Sequence, residues 1–245
     1  MPFSAIAFLI LTAAVSLLIA HYRLISGDDL LQLWTDKADS LTELLHIQRT
    51  LPLVIDPFFY HGLTFLGIRL FGMNIPALRM PSLLGFLTMQ ICLFYFIRRV
   101  ATETAAVFAL AAPALFGTFV FTLQLRPYGV LLGLFGIATI SWQIAVRRET
   151  HRTLALIVLA IAIAAAINTH YYGFLILVPV AAAELIRVWK SHKLDIPLLL
   201  SLAAGAAGIL FVLPFLKGAA AFRSHYQAVG VPYQVLTQTY NYILL

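Results

Sequence analysis

Residues 57–71 read PFFYHGLTFLGIRLF, and whether this stretch crosses a membrane decides how the rest of the chain is threaded. It is apolar, yet it holds His61 and Arg69 and falls short of the roughly 20 apolar residues that a hydrocarbon core about 30 Å thick requires. The basic residues arbitrate, because short loops rich in Lys and Arg stay cytoplasmic. With 57–71 laid along the outer surface, three tight turns share one side: Arg98-Arg99, Arg147-Arg148 with Arg152, and Arg187 with Lys190 and Lys193. Together they carry eight of the sixteen Lys and Arg residues. If 57–71 crossed, all three would face outward. The stretch therefore reads as a re-entrant or surface-lying amphipathic helix.

Composition sets the class around that segment. The 245-residue chain is 62% hydrophobic and 11% charged, with a mean hydropathy of +0.94, whereas a soluble domain is about one quarter charged. Apolar runs predict seven spans, at 2–20, 78–97, 104–121, 128–146, 154–168, 171–188 and 196–216. The short alternating segments of a β-barrel are absent. Residues 2–20 lack a basic leader and a small-residue cleavage site, so they read as a retained helix. The expected fold is an all-α polytopic membrane protein in a single membrane domain, 1–245, without a linker or internal repeat. The sequence pI is near 9.6, but its basic residues sit in short clusters between apolar runs and form no aromatic-interleaved patch, which argues against nucleic acid. Cys92 lies in an apolar run with no second cysteine to pair with. Zinc-binding spacings, phosphate-binding glycine loops and nucleophile elbows are missing.

With the N-terminus inside, the outer face collects residues 21–77, the turn 122–127, Thr169-His170 and the tail from Lys217. Six of the ten acidic residues, Asp28, Asp29, Asp36, Asp39, Glu43 and Asp56, fall in 21–77. Within that loop, 35–50 reads as one amphipathic helix, with Leu41, Leu44, Leu45 and Ile47 near one face and Asp39, Glu43 and Gln48 largely opposite. Ser40 and Glu43 have capping-box spacing. Ionised groups at the edge of hydrocarbon are costly and ask for a reason such as a metal, a proton transfer or a charged substrate. Outer helix ends supply Asp28 and Asp29, Asp56, Arg79, then Gln124, Arg126 and Tyr128, then His170 with Tyr171 and Tyr172. For the tyrosines, the aromatic belt of the membrane interface is the default reading.

At this point the sequence resembles the membrane-embedded GT-C glycosyltransferases, specifically the glycosyltransferase family 39 group related to protein O-mannosyltransferases and lipid A aminoarabinose transferases. Asp28-Asp29 stands where that family has an acidic pair after its first helix. Asp56-Pro57-Phe58-Phe59-Tyr60 is similar to its His-Pro-Pro-Leu-Tyr segment. Leu70-Phe71-Gly72 with Ala77-Leu78-Arg79-Met80-Pro81-Ser82 is similar to Leu-Phe-Gly…Ala-Leu-Arg-Leu-Pro-Ser. Gln124-Leu125-Arg126-Pro127-Tyr128 resembles Glu-Ala-Arg-Pro-Tyr, and Asn168-Thr169-His170-Tyr171-Tyr172 resembles Tyr-Thr-His-Tyr. Asp56 departs from the family histidine and Gln124 from a glutamate, and a neutral amide serves neither as a base nor as a strong metal ligand. Family members also continue beyond the equivalent of Leu245, which suggests a C-terminally truncated member.

The resemblance implies a GT-C helical bundle with juxtamembrane helices on its outer face. It also implies transfer of a sugar from a polyprenyl-phosphate donor to a glycan, lipid or protein acceptor at that face, by single displacement with inversion and without a nucleotide cofactor. A bacterial inner membrane, with the site facing the periplasm or exterior, is the expected setting. On this reading Asp28 is the first candidate for general base, since partial dehydration raises a carboxylate pKa toward the working range. Asp29 is placed to orient the acceptor or, with His170, to hold a divalent metal. Arg126 and Arg79, helped by Lys217 and Arg223, face the leaving lipid phosphate. A transporter or flippase of lipid-linked substrates is the rival, but it asks for charged or broken helices at the midplane and for paired repeats. An inactive fragment that binds the carrier lipid is the third reading.

Overall fold

A computed structural model describes residues 1–23, 25, 27–50, 56–117, 119–120, 123–216 and 220, with the side chain of Asp28 outside the description. Among the described residues there are helices and no strand. They are α1 Phe3–Tyr22, α2 Gly27–Asp36, α3 Leu41–Thr50, α4 Phe58–Phe71, α5 Ile75–Arg98, α6 Glu103–Leu115, α7 Tyr128–Val146, α8 Arg152–Thr169, α9 Leu177–Ser191 and α10 Ile196–Ala206. Short 3₁₀ stretches, Tyr171–Ile176 and Ala207–Phe211, precede α9 and follow α10. Among the described residues six stretches are long and apolar enough to cross a membrane: Phe3–Tyr22, Ile75–Arg98, Tyr128–Val146, Arg152–Thr169, Tyr171–Ser191 and Ile196–Leu216. The chain is an all-α polytopic membrane protein.

Over the expected span 104–121 the chain runs from beside the end of α5 to Val120, whose carbonyl Arg23 holds at the end of α1, and its long described helix is the thirteen-residue α6. Thr102 starts it by accepting the Ala105 N–H at 3.2 Å. Pro113, which lacks a donor, lies two residues before its end, and Phe116 is already extended.

Two contacts fix where the loop between α1 and α5 begins and ends. Arg79, in the second turn of α5, donates through Nη1 to Ala20 O at the end of α1, 2.6 Å away. Arg23, just past α1, donates to Val120 O at 2.9 Å. The chain thus leaves α1 and enters α5 at one end of the bundle, and α4, fourteen residues long, does not join the candidate spans. Its Tyr60, His61 and Thr64 are buried.

The single helix expected over 35–50 is broken in two. Ser40 Oγ accepts the Glu43 N–H at 3.1 Å and Glu43 Oε2 accepts the Asp39 N–H at 2.6 Å, so the capping pair begins a new helix, α3, after α2 has ended. Arg69 of α4 braces the joint by donating to the carbonyls of Ala38 and Asp39. The faces also differ from expectation: Gln48 is buried beside Leu44, while Leu41 is exposed.

α5 and α7 run in parallel with their backbones touching. A Cβ on Gly129 would lie 2.1 Å from Ser82 O, and one on Gly85 would lie 2.3 Å from Gly129 O. Only glycine permits that approach. At the far end of the same helices, Arg147 donates to Arg99 O at 2.8 Å and Arg99 pairs with Glu149 at 3.2 Å. Arg152, opening α8, grips both oxygens of the buried Asp195 at 2.5 Å. The basic turns therefore gather opposite Arg79.

Candidate functional site

Residues 123–128, the turn that leads into α7, tie the Arg79 end of the bundle together. The Leu125 N–H donates to Asp29 Oδ1 at 3.1 Å, with both residues buried. Ser82 Oγ, on α5, donates to Arg126 O at 2.5 Å. The Tyr60 hydroxyl, on α4, lies 3.4 Å from the same Ser82 oxygen. Arg79 is 1% exposed, and the charge of Asp29 acts on it. An arginine so deeply placed needs an acceptor and an opposite charge; Ala20 O and Asp29 provide them.

On the other side of the turn stands His170, where α8 gives way to the 3₁₀ stretch. Its Nδ1 accepts the Tyr172 N–H at 3.0 Å, capping that stretch. In the neutral ring the proton then sits on Nε2, which lies 3.4 Å from Asp56 Oδ1. The Tyr128 ring, first in α7, is centred 5.5 Å from the imidazole, and the Tyr172 ring 4.7 Å from it. Burial pulls the His170 pKa below its ordinary value; Asp56 opposes that shift and Arg126 adds to it. His170 is thus a neutral donor at neutral pH, aimed at a carboxylate.

A third group was not anticipated from the sequence. Asp36 and His61 are both fully buried, with Oδ1 and Nδ1 2.6 Å apart. Gln32 Nε2 donates to Asp36 Oδ2 at 2.7 Å and lies 2.8 Å from His61 Nδ1. Because Nδ1 carries either one hydrogen or one lone pair, the shorter contact to the carboxyl is taken as its hydrogen bond. Burial pushes the Asp36 carboxyl above the usual carboxylate range, against the pull of His61. Burial likewise raises Tyr60, which stays a phenol. The signal for this group was the spacing of Asp29, Gln32 and Asp36, which puts them on one helical face.

Asp29 and Arg79 therefore meet one side of the turn, and Asp56, Arg126, Tyr128 and His170 surround its other side. Gln124 is half-buried in the turn between them. Asp28 sits in the first turn of α2, while Lys217 and Arg223 lie outside the described residues. Among the described residues no three His, Cys, Asp or Glu side chains form a metal donor set. Asp29 Oδ1 is engaged by Leu125, and His170 by Tyr172 and Asp56. Beside the polar cluster, an apolar cavity of about 360 Å³ lies between α4, α5 and α7, lined by Phe59, Leu63, Met80, Leu84, Val130 and Leu134 among others.

The family model for dolichyl-phosphate-mannose-protein mannosyltransferase matches residues 56–217. The match takes in the stretches around Asp56, Arg79, Arg126 and His170, and begins after the acidic pair. No curated protein and no solved structure gives a match.

Proposed function

Because the chain belongs to the dolichyl-phosphate-mannose-protein mannosyltransferase family, we propose that it moves a sugar from a polyprenyl-phosphate carrier to an acceptor hydroxyl at the outer face of the membrane, within glycosyltransferase family 39. Membership makes it a membrane glycosyltransferase of the GT-C type. The donor chemistry, the roles of the residues and the sidedness are the proposal. The observation that carries it is the turn 123–128, which engages the carboxylate of Asp29 through Leu125 while presenting Arg126 and Tyr128 toward His170.

In this reading the acceptor oxygen attacks the anomeric carbon as the bond to the carrier phosphate breaks, inverting the configuration. The acceptor proton passes to Asp28, and the departing lipid phosphate keeps the bonding pair. Asp29 is committed to Leu125 and Arg79, so it orients the first turn of α2 and leaves the base role to Asp28. Arg126 faces the charge that grows on the phosphate, where a fixed cation is worth more in the transition state than in the ground state. His170 holds its Nε2 proton toward Asp56 and brings an aromatic surface with Tyr128 and Tyr172 for a sugar ring. The apolar cavity beside α4 receives the first isoprene units of the carrier, since its lining offers dispersion and almost no polar partner.

The test reconstitutes purified protein in lipid, supplies a panel of polyprenyl-phosphate sugars and measures released polyprenyl phosphate. Asp28→Asn is expected to lower turnover by about 10²–10⁴-fold, the usual range for loss of a positioned base. Turnover unaffected by that change removes the base, and a wild-type protein that releases no carrier from any sugar refutes the reading.

A further inference from the structure

α2 is built the wrong way round for a helix packed on a protein core. Its buried residues are Asp29, Gln32, Thr35 and Asp36, while Leu30 and Trp34 are more than half exposed. Removal of apolar surface from water, confined among the described side chains of α2 to the half-buried Leu31 and Leu33, therefore supplies only part of what holds α2 against the rest of the chain. Polar contacts at the two ends of its inner face hold it. One is Asp29 to the Leu125 N–H, at the turn. The other is Asp36, with Gln32, to His61 of α4. Thr35 satisfies its hydroxyl within the helix, on Leu31 O.

We propose that Asp36 and His61 are positioning residues, a buried polar pin that clamps α2 on α4 and so sets where its first turn, with Asp28 and Asp29, meets the turn 123–128. This rests on the glycosyl-transfer reading above. Seven residues separate the two pins, about 10 Å along the helix axis. A tilt of roughly 6° about the Asp36 end then moves the Asp29 end by about 1 Å, a displacement that costs about 10²-fold when reacting groups must align. A ten-residue helix has too few internal hydrogen bonds to keep its own direction once a pin is gone. Because misalignment falls on the reacting geometry and not on the carrier's apolar tail, the loss appears in kcat and leaves KM for the donor nearly unchanged.

The experiment uses the reconstituted 245-residue chain and two independent readouts. Asp36→Ala and His61→Leu are compared with Asp36→Asn and His61→Asn, which keep a carbonyl where Oδ1 stood and an N–H where Nδ1 stood. Gln32 can turn its amide to serve the asparagine, since its Oε1 has no hydrogen-bond partner among the described residues. Expected is a fall of about 10–100-fold in kcat for the two apolar variants with donor KM within about threefold, and recovery to within about threefold of wild type for both asparagine variants. In parallel, Trp34 is made the sole tryptophan by Trp142→Phe and Trp189→Phe, and its quenching by brominated phospholipid is recorded. Quenching should change in the apolar variants and return to the parental value in the asparagine variants. The proposal is overturned if kcat falls without a change at Trp34, if Trp34 changes while kcat holds, or if the asparagine variants rescue neither readout. A wild-type protein that turns over no lipid-linked sugar refutes the glycosyl-transfer reading instead, and the Trp34 response still decides whether the pin orients α2.

Discussion

Gly129→Ala is the sharpest test of how the bundle sets the outer turn. The new Cβ would stand 2.1 Å from Ser82 O and 2.7 Å from Ser82 C and Cα. All three are backbone atoms, so no flexible side-chain end can swing away. Relief to an ordinary van der Waals distance requires α7 and α5 to part by about 1 Å, and overpacking of that kind costs about 1–3 kcal/mol. With backbone on both sides the upper end applies. Gly129 is the second residue of α7, so alanine returns less than the roughly 1 kcal/mol of a helix interior, leaving a net loss of about 2–3 kcal/mol and a Tm lowered by about 4–12 °C for a chain of this size. The same separation stretches the 2.5 Å bond from Ser82 Oγ to Arg126 O and shifts the turn, so turnover should fall by about 10²-fold. Gly67→Ala is the control. A Cβ there has its nearest atom at 3.9 Å, and the variant should gain about 1 kcal/mol, or 2–4 °C in Tm. Thermal unfolding in detergent, paired with carrier release in vesicles, reads both. Equal Tm values for the two variants, or a stable and fully active Gly129→Ala, would refute the argument.

Asp29→Ala leaves the Arg79 guanidinium buried without its carboxylate, and loss of one partner from such a pair costs about 3–5 kcal/mol; the Tm falls, and Asp29→Asn, which keeps an acceptor for Leu125, loses less. His170 supplies a pH signature. Burial holds its folded pKa below the ordinary 6.5, so the unfolded chain binds the proton first as pH drops. Stability is therefore full above about 6.5 and is lost as pH falls through the lower folded value. The Tm drop between about pH 7.5 and 5.5 should shrink in His170→Gln, and identical drops in both proteins would contradict the assigned shift. At the opposite end, Arg152→Ala strands the buried Asp195 carboxylate at a cost of about 3–5 kcal/mol while kcat at low temperature stays at the wild-type value. Arg152→Lys restores only part of the stability, because one ammonium cannot reproduce the two-oxygen grip.

Hydropathy located α1, α5, α7 and α8 to within a few residues, because a helix that faces lipid must keep its apolar run unbroken. Charge placed the three basic turns on one side, and the structure gathers Arg99, Arg147 and Arg152 at one end. Asp29, Arg79, Asp56, Arg126, Tyr128 and His170 were legible for the same reason: each sits at a helix end, and all those ends belong to one side of the bundle. The inner face of α2 was not legible. Amphipathic spacing marks two faces of a helix, and beside a bilayer either of them can be the one turned to the protein. The contact between Asp36 and His61 joins residues 25 apart, and it exists because α4 folds back under α2, which no local pattern encodes. The break between α2 and α3 was within reach, since a serine followed by a glutamate three residues on begins a helix.

At the Arg79 end three buried carboxylates each hold a different piece of chain. Asp29 holds the turn into α7, Asp36 holds α4, and Asp56 faces the cap of the 3₁₀ stretch through His170. Apolar packing cannot set angles there, because the helices are short and their outward faces are apolar too. Directional bonds to ionisable groups can, and each removes a carboxylate from the pool available for proton transfer. Such structural commitments are why the proposed reaction gives the acceptor proton to Asp28, whose side chain lies outside the described residues, and not to one of these three. They also mean that deleting any of the three confounds folding with chemistry. Isosteric exchanges, Asp36→Asn and His61→Asn above all, are the substitutions that separate the two.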